Sequence, residues 1–321
     1  MRILLWHVHG SWTTSFVHCG HTCLVPVNES RDADGRGRAR TFPWPDNAVE
    51  VTPRQLRETD VDLVVLQRPL ELELTRQWLG RRPGTDVPAV YVEHDTPRGP
   101  AAATRHPLAD RSDIPVVHVT PFNDAFWDCG SAPTTVIEHG VVDPGHQCTA
   151  ELPRAAAVIN EPVRRHRITG ADLLAPLSAP SPVDVYGMGT GQLPGWLGLG
   201  PQRVRARDDV PQAAMHDQLA RRRVYVHPFR WTSLGLALVE AMHLGMPVVA
   251  LAATEAVEAV PPAAGVVSTR VDVLADAVRS YTRDPDLALR SGREARRAAR
   301  ERYGLERFLD SWDRLIKEVV R

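Results

Sequence analysis

The sequence predicts an α/β protein of two domains, each built on a parallel sheet. Short β-branched and aromatic runs alternate with helical segments along most of the chain. A mixed polar stretch, 145–154, separates two such series and is read as a linker and hinge. Arg223 to Ala252, RVYVHPFRWTSLGLALVEAMHLGMPVVALA, carries strand, turn, helix and strand in full, a βαβ unit whose right-handed crossover makes the strands parallel. A chain of 321 residues with 43% hydrophobic content is long enough for two buried cores.

In chain order, Arg2 to Val8 reads as a buried strand running into His9-Gly10-Ser11-Trp12, a glycine turn where α/β folds open a ligand loop. The cluster His18-Cys19-Gly20-His21-Thr22-Cys23 lacks the paired spacings of a structural zinc site, and no metal is expected. Asn28 to Asp46 reads as a long exposed loop. Its arginines 36, 38 and 40, beside Phe42 and Trp44, offer contact to an acidic acceptor or a membrane surface, a solvated loop being the commoner outcome. Asp62 to Leu66 and Val87 to Glu93 are strands around a helix over Glu71 to Gly80. The second strand runs into His94, either a strand-end histidine bonded to a loop carbonyl or a site residue at the ligand edge of the sheet. Pro115 to Thr120 and Thr134 to Ile137 follow as strands, and then Glu138-His139-Gly140-Val141-Val142-Asp143.

The second series opens with a strand over Ala155 to Asn160, a strand-to-helix loop with Arg164, Arg165 and Arg167, and a helical ADLLAPL. Val183 to Tyr186 is a strand ending at Gly187-Met188-Gly189-Thr190-Gly191. A dinucleotide fingerprint needs a helix straight after its glycines, and the Pro/Gly-rich segment that follows argues against one. In the central unit Val224 to Val226 form a strand, His227 to Ser233 a turn, Leu234 to Leu244 a helix stopped by Gly245 and Pro247, and Val248 to Ala252 a strand. Thr232 or Ser233 is the expected N-cap, and the amides that follow suit an anion such as phosphate. Glu240, in a helix apolar around its circumference, needs a partner: an arginine, or the hydroxyls of a ligand diol. Beyond Val271 the chain reads as helical, and Leu305 to Val320 has apolar residues at helical spacing.

Bulk properties narrow the function. A net charge of −1 with a pI near 6.9 gives no electrostatic case for nucleic acid. Basic residues are arginine throughout except Lys317. Four cysteines without a signal segment fit a reducing cytoplasm, and no run approaches the roughly 20 apolar residues of a membrane span.

The segment TSLGLALVEAMHLGMPVVAL resembles the donor-binding stretch of the retaining nucleotide-sugar glycosyltransferases with the GT-B fold, the group 1 or family 4-like enzymes. Their two glutamates stand eight residues apart, followed by Ala-Met and Gly-x-Pro-Val-Val. Glu240, Ala241, Met242, Gly245, Pro247, Val248 and Val249 match, while Thr232 stands for the first glutamate. The resemblance implies two Rossmann-like domains facing across a cleft: residues 1–150 on the acceptor side, 151–303 holding the donor, and a helix over 304–321 returning to the first domain. It implies sugar transfer from a nucleoside diphosphate sugar to a small-molecule, glycan or lipid acceptor, with retention and without metal or other cofactor. His94 and Thr232 fall at catalytic positions, and Gly10, Arg164, Arg167, Gly187, Ser233, Leu234, Gly235 and Glu240 around the donor. His139 replaces the asparagine of the family's Asn-Gly-Val-Asp signature. Thr254 to Glu258 resembles its Gly-Gly-x-Pro-Glu segment with only Glu258 kept. Two further readings stay open: a nucleotide-sugar epimerase on the same fold, and, because of Thr232, a non-catalytic binder.

Overall fold

The computed structural model describes all 321 residues, which divide into two compact units, Met1–Val142 with Leu305–Arg321 and Asp143–Gly304. The first holds a seven-stranded sheet in the order β3-β2-β1-β4-β5-β6-β7 and the second a six-stranded sheet in the order β10-β9-β8-β11-β12-β13. The strands of the first are β1 Arg2–Leu5, β2 Thr22–Pro26, β3 Ala48–Val51, β4 Leu63–Leu66, β5 Ala89–Glu93, β6 Val116–His118 and β7 Thr134–Val136. Those of the second are β8 Leu152–Val158, β9 Val183–Gly187, β10 Val204–Asp208, β11 Arg222–His227, β12 Val248–Leu251 and β13 Gly265–Ser268. Every ladder in both sheets is parallel.

Central strands are buried on both faces, which is why β4 and β5 read as continuous apolar runs and not as an alternation. The last helix, Leu305–Val319, belongs to the first unit. Phe308, Trp312 and Ile316, four residues apart, form its buried stripe. Trp312 meets Trp12 and Phe16 edge to face, with ring centroids 5.7 and 5.1 Å away. In the second unit the buried carboxylate of Asp184 on β9 is shared between Arg154 of β8, at 2.5 Å, and Arg222 of β11, at 2.6 Å. These charges tie three neighbouring strands together, and the arginines hold the Asp184 carboxyl below its ordinary range against the opposing effect of burial.

Several local expectations are corrected. β2, β3, β10 and β13 are additional to the expected strands; they are four or five residues long and all but β2 lie toward the sheet edges. β8 starts at Leu152, inside the stretch read as linker. A one-turn helix, Leu193–Leu197, does follow the glycines after β9, because Pro194 stands in its first turn, where no backbone N–H is needed, and Gly198 closes it. The stretch 28–46 is not an open solvated loop throughout. Trp44 is buried, donates its Nε1 hydrogen to Thr14 Oγ1 at 2.8 Å and lies against His7, while Arg38 donates to the carbonyls of Trp44 and Ala48. The expected aromatic contact surface is thereby reduced to Phe42, itself half-buried.

Candidate functional site

In the second unit the chain lays β9 and β10 on one side of β8 and then returns to place β11, β12 and β13 on the other. The gap between the carboxyl ends of β8 and β11 is therefore the topological switch point, where sheets of this kind bind ligands. The segment after β8 carries Arg164 and Arg167, Gly187 closes β9, and the segment after β11 holds Thr232 to Gly235. Eight sequence-chosen residues, these seven and Glu240, thus lie on three adjacent strand-to-helix connections and the helix that follows.

Their local geometry differs from expectation in three ways. Helix Leu236–Leu244 begins two residues late, its N-cap being Gly235 at φ −70° and ψ 117° with no side-chain cap. Neither Thr232 nor Ser233 caps it: Ser233 is buried and its carbonyl faces the amide of Glu255. The rise from the helix start to Glu240 is then about 6 Å, shorter than a start at Leu234 implies. Second, Arg164 and Arg167 stand on a helix, Pro162–Thr169, kinked at His166 where φ is +41°, and not in a loop. Both are exposed and paired, Arg164 with Glu161 and Arg167 with Asp172 at 3.4 Å. Arg230, which the sequence does not single out, grips the same Asp172 with both terminal nitrogens at 2.6 and 2.8 Å.

Third, the partner of Glu240 is neither an arginine nor an unfilled space. Helix Gln212–Ala220 presents Gln212, whose Nε2 donates to Oε1 at 3.0 Å, and His216, whose Nε2 lies 3.1 Å from Oε2. The carboxylate is buried and fixed by two neutral-capable donors, each oxygen keeping lone pairs for a further bond.

Gly187 has a positional reason: φ is +129°, and a Cβ there would lie 2.5 Å from the Ile159 carbonyl oxygen. Gly235 is fixed by packing, since its Cβ would sit 2.8 Å from Cε1 of His227. His227 ends β11, stacks on Phe229 at 4.5 Å, and burial lowers its pKa to about 3. Of the Thr254–Glu258 segment, Glu258 is exposed, and Glu255 is the buried acid, bonded to Arg302 at 2.6 Å.

In the first unit the carboxyl ends of β1, β5 and β7 bring together three histidines, of which the sequence singles out only His94 as a site residue. His9 lies face to face with His94 at 4.0 Å and 29°, and the His139 ring lies 6.5 Å from that of His94 at 21°. Burial drives all three imidazoles toward the neutral form: His94 well below 6.5, His139 to about 3, and His9 downward against the raising effect of Asp95. His94 Nε2 and His139 Nδ1 are buried without a hydrogen-bond partner. Gly10 follows His9 directly and opens helix Gly10–Phe16. The expected loop-carbonyl bond of an ordinary strand-end histidine is absent at His94 Nε2. No three His, Cys, Asp or Glu side chains anywhere are grouped to hold a metal ion, and the Cys19 and Cys23 sulfurs lie 3.6 Å apart as thiols.

Residues 202–298 match the family model described as glycosyl transferases group 1. No curated protein matches the sequence. Among solved structures, a sucrose-phosphate synthase from Thermosynechococcus elongatus is 15% identical with a TM-score of 0.72, covering 99% of this chain and 98% of that one. A glycosyltransferase from Rickettsia africae is 14% identical with a TM-score of 0.71, over 100% and 98%. HepE from Anabaena, solved with UDP and glucose, is 17% identical with a TM-score of 0.69, over 99% and 100%. At these identities the likeness is one of fold.

Proposed function

We propose that this chain, a GT-B glycosyltransferase whose second unit carries a group 1 domain, takes its sugar from a nucleoside diphosphate donor and transfers it with retention of anomeric configuration. The acceptor is a hydroxyl of a small molecule, glycan or lipid. No helix is long and apolar enough to cross a membrane.

The observation that carries the reading is Glu240: a buried carboxylate, braced by Gln212 and His216, just over one turn into the helix that starts at the switch point. It accepts the ribose hydroxyls. The Leu238 amide is bonded to the Gly235 carbonyl at 2.9 Å; the amides ahead of it and the positive end of the helix dipole receive the diphosphate. Arg164 and Arg167 exchange their carboxylate partners for phosphate oxygens as the donor arrives, their planar forks matching those oxygens. Gly187 lets the backbone after β9 pass beside the nucleotide.

In the reaction the bond from the anomeric carbon to the diphosphate breaks, and the acceptor hydroxyl forms a new bond to that carbon on the same face. The departing phosphate oxygen takes the hydroxyl proton. Positive side chains and helix amides stabilise the charge gathering on that oxygen. His94 orients sugar and acceptor as a neutral imidazole, and Thr232 supplies a hydroxyl where the family has a carboxylate.

Calorimetric titration of the protein with UDP, GDP, ADP, dTDP and their common sugar conjugates tests this. One base binding at least tenfold more tightly than the others is the expected result. Absence of binding by every nucleotide at millimolar concentration would remove Glu240 from the nucleotide site proposed for it.

A further inference from the structure

We propose that His9 is a positioning residue for the reaction, holding the His94 ring in its working orientation by face-to-face stacking. The inference rests on the role of His94 proposed above. His9 is the last residue before helix Gly10–Phe16, and its carbonyl accepts the Thr13 amide at 2.8 Å, so the helix start fixes its backbone. From there it covers one face of His94 at 4.0 Å, and Trp12, three residues on, meets the same imidazole edge to face at 5.1 Å and 84°. Trp12 is itself buried and immobilised by Phe16, Phe308 and Trp312. One turn of chain after β1 therefore wraps His94 on two sides.

The backbone on either side of His94 is gripped as tightly. Glu93 accepts the Asp95 amide at 2.7 Å on one oxygen and faces His106 Nε2 at 3.0 Å with the other. Asn123 Nδ2 donates to the carbonyls of Glu93 and Asp95, and Trp127 Nε1 to that of Asp95. Leu108 donates its amide to His106 Nδ1, which places the His106 proton on Nε2, toward Glu93. Here the ring is fixed in plane and position while Nε2 stays unpartnered. The charged groups that bear on His9 are Asp95, Arg68 and Arg98; Arg98 is paired with Asp95, and Arg68 with Glu71 and Asp34.

The test compares His9→Ala, His9→Phe and His94→Ala. Two readouts are used: release of nucleoside diphosphate from the sugar nucleotide selected by calorimetry, and the NMR shifts of the His94 ring protons in the free protein. A misplaced catalytic group costs on the order of 100-fold in rate. His9→Ala is expected to lower kcat by about 10- to 100-fold with the donor KM within about threefold, and to move the His94 ring protons downfield as the stacked ring is lost. His9→Phe, which keeps an aromatic face but cannot titrate, is expected to restore both. His9→Ala with normal kcat, or His9→Phe no better than His9→Ala, overturns the stacking role while leaving His94 in place if His94→Ala is inactive. Full activity of His94→Ala overturns the role of His94 itself, and the inference with it.

Discussion

Glu240 is held by side chains that precede it by 24 and 28 residues, and this placement decides how it responds to substitution. Glu240→Gln keeps the shape and one acceptor but loses the charge. Hydrogen bonds to a charged group contribute roughly 1.5–3 kcal/mol each against about 1 for neutral ones. Nucleotide affinity is expected to fall about 10- to 100-fold, read by calorimetry, with the thermal midpoint little changed. An unchanged affinity would mean that the carboxylate serves only Gln212 and His216. Glu240 is legible in the sequence because an acid inside an apolar helix is anomalous, and the same anomaly leaves arginine and ligand as the choices for its partner. Gln212 and His216 are illegible, since nothing within a helical turn of Glu240 points to a helix on the far side of β11. The same holds for His9 and His139. Each is visible as a residue near a strand end, but their stacking on His94 depends on strand order, which no local pattern contains.

At the scale of elements, the buried charge cluster of β8, β9 and β11 makes the sharpest prediction. Removing one member of a buried ion network leaves uncompensated charge and costs about 3–5 kcal/mol. Asp184→Ala strands both Arg154 and Arg222, and chemical denaturation is expected to record a loss in that range. A change below about 1 kcal/mol would mean that water screens the cluster. Element type is legible where a strand is buried on both faces, as in β1, β4, β5, β11 and β12, because a short apolar run bounded by turn residues fits a doubly covered strand and little else. It is hidden in β10, whose sequence VRARD is half charged, and in β3 and β13, which are short and near an edge. Helix starts are hidden too. Pro162–Thr169 carries a run of arginines with no apolar period and so reads as a loop, and helix Leu236–Leu244 lacks the polar cap that would announce Gly235.

For the whole molecule, the buried neutral histidines impose a pH dependence on stability. His94, His139 and His227 all have folded pKa values below the ordinary 6.5, the latter two at about 3. The unfolded chain therefore binds more protons than the folded one between pH 6.5 and about 3, so stability rises with pH through that window and is fully present above it. At pH 5 His139 and His227 are each expected to cost roughly 2 kcal/mol relative to pH 7.5, measured as a lower urea midpoint. His139→Asn should flatten part of that slope; a slope unchanged by this substitution would show that His139 is protonated in the folded state. The two-unit α/β architecture with parallel sheets is legible from alternation that resumes after the polar stretch 145–154. The last helix announces itself by its apolar spacing.

Sugar transfer itself is open to direct observation by proton NMR of a reaction mixture. The protein, the sugar nucleotide chosen by calorimetry and a panel of hydroxyl acceptors are followed through the anomeric region. The expected result is loss of the donor anomeric signal, appearance of free nucleoside diphosphate, and a new glycoside signal of the same anomeric configuration. A new sugar nucleotide with its diphosphate still attached would mean epimerisation, and a donor that is bound but unchanged with every acceptor would mean a binding protein. Either outcome contradicts a retaining glycosyltransferase.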